Sequence, residues 1–175
     1  AHGMLGEVHV RLACLRAMSR MAASGHSFAS NPLLESRLWV CCHDPDDAVK
    51  AVANEIWTVT GLELSPTYAP PLLALLSNPA EHARQAAAQA IAAAMTTHTS
   101  TASATAKQLC ELFTSCVPTT KKMTEAERIE ASLFEKPSSN GGPKHPATAA
   151  VSEESAWMAR SGVALALEAC GRQGA

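Results

Sequence analysis

The strongest constraint on this chain is a recurrence about one helical hairpin long. Asp44-Pro45-Asp46-Asp47 and Asn78-Pro79-Ala80-Glu81 stand 34 residues apart. Each begins with a residue whose side chain caps helices, continues with proline, and carries an acid three positions after the cap. A cap oxygen accepts an otherwise unpaired backbone N–H. Proline has no N–H to leave unpaired in a first turn, and an acid complements the positive end of the helix dipole. Both segments therefore read as helix starts, with Asp44 and Asn78 as the caps.

The residues after each start also repeat. Val49, Val52, Ala53, Ile56 and Trp57 share one helical face after the first, and Ala83, Ala86, Ala87, Ala90 and Ile91 share one after the second. A basic residue stands beside each stripe, Lys50 and Arg84. The same step recurs as Val10-Arg11, leading to Cys14, Leu15 and Met18, and as Ala159-Arg160, leading to Val163, Ala164 and Leu167. The four basic residues are separated by 39, 34 and 76 positions, the last close to twice the others.

A unit of about 35–40 residues with two helices cannot hide its apolar side alone, so successive units must shield one another in a line. The expected fold is all-α, an α-solenoid of about four helical hairpins in a right-handed superhelical stack. The units fall at about 1–25, 31–61, 68–98 and 102–172. First helices are placed at 32–42, where Asn31-Pro32 again pairs a cap with a first-turn proline, at 70–76 and at 104–117. Segment 118–152 breaks the pattern. It is rich in Pro, Gly and Ser and reads as a flexible insertion, with a short helix at 124–134 capped by Thr124 and Glu127. The last second helix is then expected at about 153–170. The chain begins without methionine, inside an element, and reads as a fragment of a larger solenoid.

One helix stands out. Nine of the sixteen residues at 80–95 are alanine. Small side chains let neighbouring helices approach closely, so larger residues such as Trp39, Trp57, Leu72, Leu73 and Leu76 must fill the space beside them.

Composition excludes several classes. Hydrophobic residues make up 47%, enough for a continuous core, and the formal net charge of −2 supplies no strong field towards nucleic acid or an anionic membrane. No stretch is long and apolar enough for a membrane span. Cys41-Cys42-His43-Asp44 is the densest set of potential ligands. Adjacent cysteines on a helix diverge by about 100°, and no second pair at metal-binding spacing exists, so these read as buried reduced thiols beside a capping aspartate. His2, His9, His26, His43, His82, His98 and His145 are scattered and read as solvated. No nucleophile motif or phosphate-binding loop is present. The reading is a non-enzyme with no catalytic residues, no metal, no cofactor and no small-molecule substrate.

The apolar-plus-basic step after Asp-Pro or Asn-Pro resembles HEAT repeats. In that family the basic residue commonly joins a ladder with acids of adjacent turns, which implies a structural role for Arg11, Lys50, Arg84 and Arg160, with acids such as Asp47 and Glu81 as partners. A narrower resemblance is carried by Leu38-Trp39-Val40, His43-Asp44-Pro45, Ile56-Trp57 and Gly61-Leu62. Val10 to Leu15 before them and Ala159 to Leu167 after them fit as well. These are similar to a central segment of the general-control translational activator, a very large HEAT scaffold. The resemblance implies a cytoplasmic, ribosome-associated parent that promotes activation of the initiation factor 2 α kinase in amino-acid starvation. Translation-factor proteins, the kinase and an ATP-binding-cassette protein are its partners, the last two through other regions. The alternative is a HEAT adaptor of another class, serving nuclear transport or phosphatase assembly. A row of the four repeat cations could meet RNA phosphate, and Lys121 and Lys122 in the insertion are candidate partner contacts.

Overall fold

The computed structural model describes residues 2–28, 31–117 and 147–174. Among them it contains helices and no strand. A 3-10 turn, His2–Leu5, precedes α1 (Val8–Ala23), α2 (Pro32–Cys41), α3 (Asp47–Thr60), α4 (Ala69–Leu73) with its 3-10 continuation Ala74–Ser77, α5 (Glu81–Thr97), α6 (Thr99–Cys116) and α7 (Ala147–Gln173).

Local chemistry accounts for several of these boundaries. Asn31 caps α2 by accepting from Leu34 N at 3.1 Å, with Pro32 in the first turn. α3 ends at Gly61, whose φ of 62° is left-handed and suits a residue without Cβ. Two expected boundaries are extended by the structure. α6 starts at Thr99 rather than 104, although its opening is rich in Thr and Ser. Those hydroxyls turn back onto the helix itself, Thr101 Oγ1 donating to His98 O at 3.1 Å and Thr105 Oγ1 to Thr101 O at 3.1 Å. α7 starts at Ala147 rather than about 153, since the alanine-rich sequence there favours helix once begun. The remainder of the expected insertion, with the helix at 124–134 and Lys121 and Lys122, lies outside the described residues.

The buried stripes have helical spacing. Arg11, Leu15 and Met18 line α1, and Val49, Ala53 and Ile56 line α3, and these two helices pack together. Their core also takes Met4, Phe28, Leu38 and Leu62. A second core surrounds α5. That helix is buried around most of its circumference from Ala83 to Met95, and Gln85, Gln89 and Ala93 form the one stripe left out of the core. Leu72 and Leu76 are fully buried against it, with Trp39, Trp57 and Leu73 at its edge.

α7 lies along α5 and crosses the 3-10 turn after α4. The crossing is close. A Cβ on Gly162 would strike the Leu76 carbonyl oxygen and lie 2.8 Å from its carbon. Glycine at this point lets two backbones touch.

Candidate functional site

The four repeat cations occupy four different environments. Arg11 is buried, 2% exposed, with Nη2 donating to Asp44 Oδ1 at 2.9 Å and Nη1 to Gly6 O at 2.6 Å. Arg84, also buried, gives Nη1 to Asn78 O at 2.7 Å and Pro79 O at 2.9 Å. It takes carbonyl oxygens, and the Glu81 carboxylate instead accepts from Gln85 Nε2 at 3.0 Å. Lys50 pairs on the surface with Asp47 at 3.0 Å. Arg160 donates to Cys116 O, the end of α6, at 2.6 Å. Arg11 and Arg84 thus share one local device: each binds the carbonyl five residues earlier, tying the helix to the turn that feeds it.

The caps differ from expectation. Asp44 is not the cap of α3. Asp46 is, accepting from Ala48 N at 3.1 Å and Val49 N at 3.0 Å. The Asp44 carboxylate accepts from Asp46 N at 2.9 Å and is otherwise committed to Arg11. Asn78 is likewise not the cap of α5. Ala80 holds that position without a side-chain bond, and Asn78 Oδ1 accepts from Ala80 N at 2.9 Å. In both places Asp or Asn closes a turn over the proline, and the helix begins one or more residues later. Pro45 and Pro79 sit in these turns, outside the helices.

Histidines read as solvated also prove otherwise at three positions. His82 Nε2 lies 3.1 Å from Leu5 O, joining the N-terminal turn to α5. His98 Nε2 lies 2.9 Å from Leu64 O, and its ring stacks on Tyr68 at 5.6 Å. His43 is mostly buried, its ring edge-on to Trp39 at 4.8 Å. Burial, with the Lys50 ammonium nearby, pulls its imidazole down to about 4, so the ring is neutral at physiological pH. Its Nε2 is out of water and meets no hydrogen-bonding partner among the described residues.

The thiols beside it are held protonated. Burial, reinforced by the Asp44 charge, pushes Cys41 up to about 12, and burial with neighbouring Cys41 does the same for Cys42. Neither is poised to be a nucleophile. Among the described residues no group of three or more His, Cys, Asp or Glu is arranged to hold a metal ion. No helix there is long and apolar enough to cross a membrane.

His43 marks the most distinctive place in the fold. α1 packs on α3 and α5 on α7, but α3 and α5 make no comparable contact. The junction is bridged by α2, whose Trp39 Nε1 donates to Ala90 O at 3.0 Å. Trp57 of α3 lies 5.0 Å from the Trp39 ring and packs against both cores. Beside this junction is a cleft of about 430 Å³, walled by Cys42, His43 and Lys50 on one side, by Gln85 and Gln89 of α5, and by Glu168 and Arg172 of α7. Sequence reasoning placed the tryptophans in the core and missed the cleft. Two signals were available: Trp39 and His43 one turn apart, and Gln85 and Gln89 one turn apart in an alanine-rich helix.

Stacked helix pairs with a basic residue at the opening of successive second helices define a HEAT-type α-solenoid. The HEAT repeats of the stalled ribosome sensor GCN1 match residues 26–173, and the chain belongs to that family. It is also similar to the protein ILITYHIA of Arabidopsis thaliana, 36% identical over 90 residues. That stretch covers 51% of this chain and 3% of the plant protein, so the chain corresponds to a small part of the relative's length. No solved structure matches it.

Proposed function

We propose that this chain is a non-catalytic scaffold segment of a ribosome-associated translational-control protein, built of four helical units at about 1–25, 31–61, 68–98 and 102–172. The carrying observation is the family match, which spans nearly the whole fold from the second unit onward. The scaffold role is consistent with the chemistry: the Cys41 and Cys42 thiols are protonated, the central imidazole is neutral, and the described repeat cations are bonded within the chain rather than held free for a substrate. Arg11, Lys50, Arg84 and Arg160 serve here as structural residues that fix turns and helix ends.

In this reading the parent protein works in the cytoplasm, touches ribosomes and translation factors, and promotes activation of the initiation factor 2 α kinase in amino-acid starvation. The kinase and an ATP-binding-cassette protein engage other regions of it. Lys121 and Lys122 remain proposed partner contacts. The test is ribosome co-sedimentation of the full-length parent with and without residues 26–173, together with phosphorylation of initiation factor 2 α under starvation. Loss of ribosome association or of phosphorylation on deletion supports the reading. A parent that ignores ribosomes and instead carries transport cargo or a phosphatase overturns it.

A further inference from the structure

The outward face of α7 is more apolar than a solvated helix needs. α7 turns Val163, Ala166, Ala169 and Cys170 into the core it shares with α5. On the opposite side Trp157 is 56% exposed, and Ala164 and Gly171 follow it at intervals of seven residues, about two turns each. Leu167, also exposed, flanks the stripe. Phe113 and Val117 of α6 are exposed nearby, since the Arg160–Cys116 bond sets the end of α6 against the turn after Trp157. Single apolar side chains on a surface are ordinary, but a group of them around a tryptophan marks an interaction surface.

The stripe is complementary to itself. A two-fold axis at Ala164 lays α7 antiparallel to the same helix of a second copy, an isologous contact in which each patch meets its own image. Trp157 and Gly171 both lie seven residues from Ala164, so each indole comes level with the partner's Gly171. Glycine within a helix costs stability. Nothing in the single chain asks for it at 171, because an added Cβ meets no atom within 4 Å and the backbone is not left-handed there. A facing tryptophan supplies the missing reason.

The charges agree with the same register. Glu154 and Arg172 are eighteen residues apart, about five whole turns, so they share one flank of α7. In the antiparallel pair each Glu154 lies about 3 Å along the axis from the partner's Arg172. Arg172 donates through Nη2 to Glu168 at 2.6 Å, and the other N–H groups of a guanidinium can serve a second carboxylate. Glu154, exposed, has no ion-pair partner among the described residues.

We propose that the outward face of α7 pairs two copies of this chain as an antiparallel, two-fold dimer, with Trp157 of each over the partner's Gly171 and Glu154 of each facing the partner's Arg172. The pairing is independent of the ribosome-associated reading, because it is drawn from α6 and α7 alone.

The experiment is sedimentation velocity of the 175-residue chain from about 2 to about 200 µM, the span in which a small interface associates. A reductant is present so that exposed Cys110 cannot cross-link copies. A reversible monomer–dimer equilibrium is expected. Gly171→Leu, which has room in the single chain, occupies the place of the indole and weakens dimerisation at least tenfold, as does Trp157→Ala. Combining Trp157→Ala with Gly171→Trp exchanges the large and small residues across the two-fold axis and restores dimerisation to within about threefold of the parent chain, which a merely sticky surface does not do. Urea unfolding verifies the fold of each variant, and Gly171→Gln replaces the leucine variant if that one is disturbed. Four outcomes overturn the proposal. These are a chain monomeric throughout, which leaves the face to another occupant such as residues 118–146 or a further helical unit; a dimer indifferent to both single variants; an exchange that does not restore pairing; or growth into larger assemblies, which signifies a head-to-tail contact.

Discussion

Replacing Arg11 with methionine is expected to cost about 3–5 kcal/mol, the loss typical when one partner of a buried ion pair is removed. The size of the loss comes from the group left behind. Arg11 and Asp44 are 2% and 3% exposed, and the variant leaves the Asp44 carboxylate out of water with only Asp46 N, at 2.9 Å, of its two bonds. For a chain of this size each kcal/mol shifts Tm by roughly 2–4 °C, so the midpoint should fall by about 6–20 °C. Asp44→Leu removes the acceptor and strands the guanidinium instead, with Gly6 O as its remaining partner, and belongs in the same range. The double variant removes both charges, and its cost is expected to fall short of the summed single costs by at least about 2 kcal/mol. Lys50→Met is the control. Its pair with Asp47 is on the surface, and its loss costs about 0–1 kcal/mol. Urea unfolding followed by circular dichroism, extrapolated linearly to water, measures all four. A loss below about 1 kcal/mol for Arg11→Met, or a double variant equal to the sum of the singles, refutes the reasoning.

Three further outcomes are expected. Ala87→Leu inserts a branched side chain at a position with no exposure in the centre of α5, and should destabilise by about 1–3 kcal/mol; unchanged thermal stability refutes the close packing around that helix. Gly162→Ala places a methyl group in the Leu76 backbone carbonyl, which cannot rotate aside as a side chain can, and a loss of about 1–3 kcal/mol should appear in the same titration. His43 has a folded-state pKa depressed to about 4, so the unfolded chain binds its proton first as pH falls. The associated stability is complete above about pH 6.5 and disappears between there and about pH 4, amounting to roughly 3 kcal/mol. His43→Gln should remove that part of the pH dependence, and identical stability-against-pH curves for the two proteins would show that the imidazole is not buried neutral.

The sequence by itself determined the helices, their spacing and the location of most of the core. Those properties depend on neighbours within one or two turns. Val49, Ala53 and Ile56 face inward because helical geometry aligns them, and Asn31-Pro32 starts α2 because cap and proline act on the adjoining backbone. The alanines of α5 announced a helix closely packed by its neighbours over most of its surface. The tertiary structure decided what local rules leave open. In Asp44-Pro45-Asp46-Asp47 three carboxylates compete to cap one helix, and the choice falls to Asp46 because an arginine 33 residues away claims Asp44. His43 is drawn out of water by contact with Trp39 and by the walls around it, which no pattern of spacing encodes. The cleft takes its walls from segments far apart in sequence, Cys42 to Lys50, Gln85 and Gln89, and Glu168 and Arg172, which only the packed chain brings together. Periodicity fixes which face of a helix is buried, but the distance between two helices is set by the volumes of side chains that meet across them, and that is known only once the chain has folded.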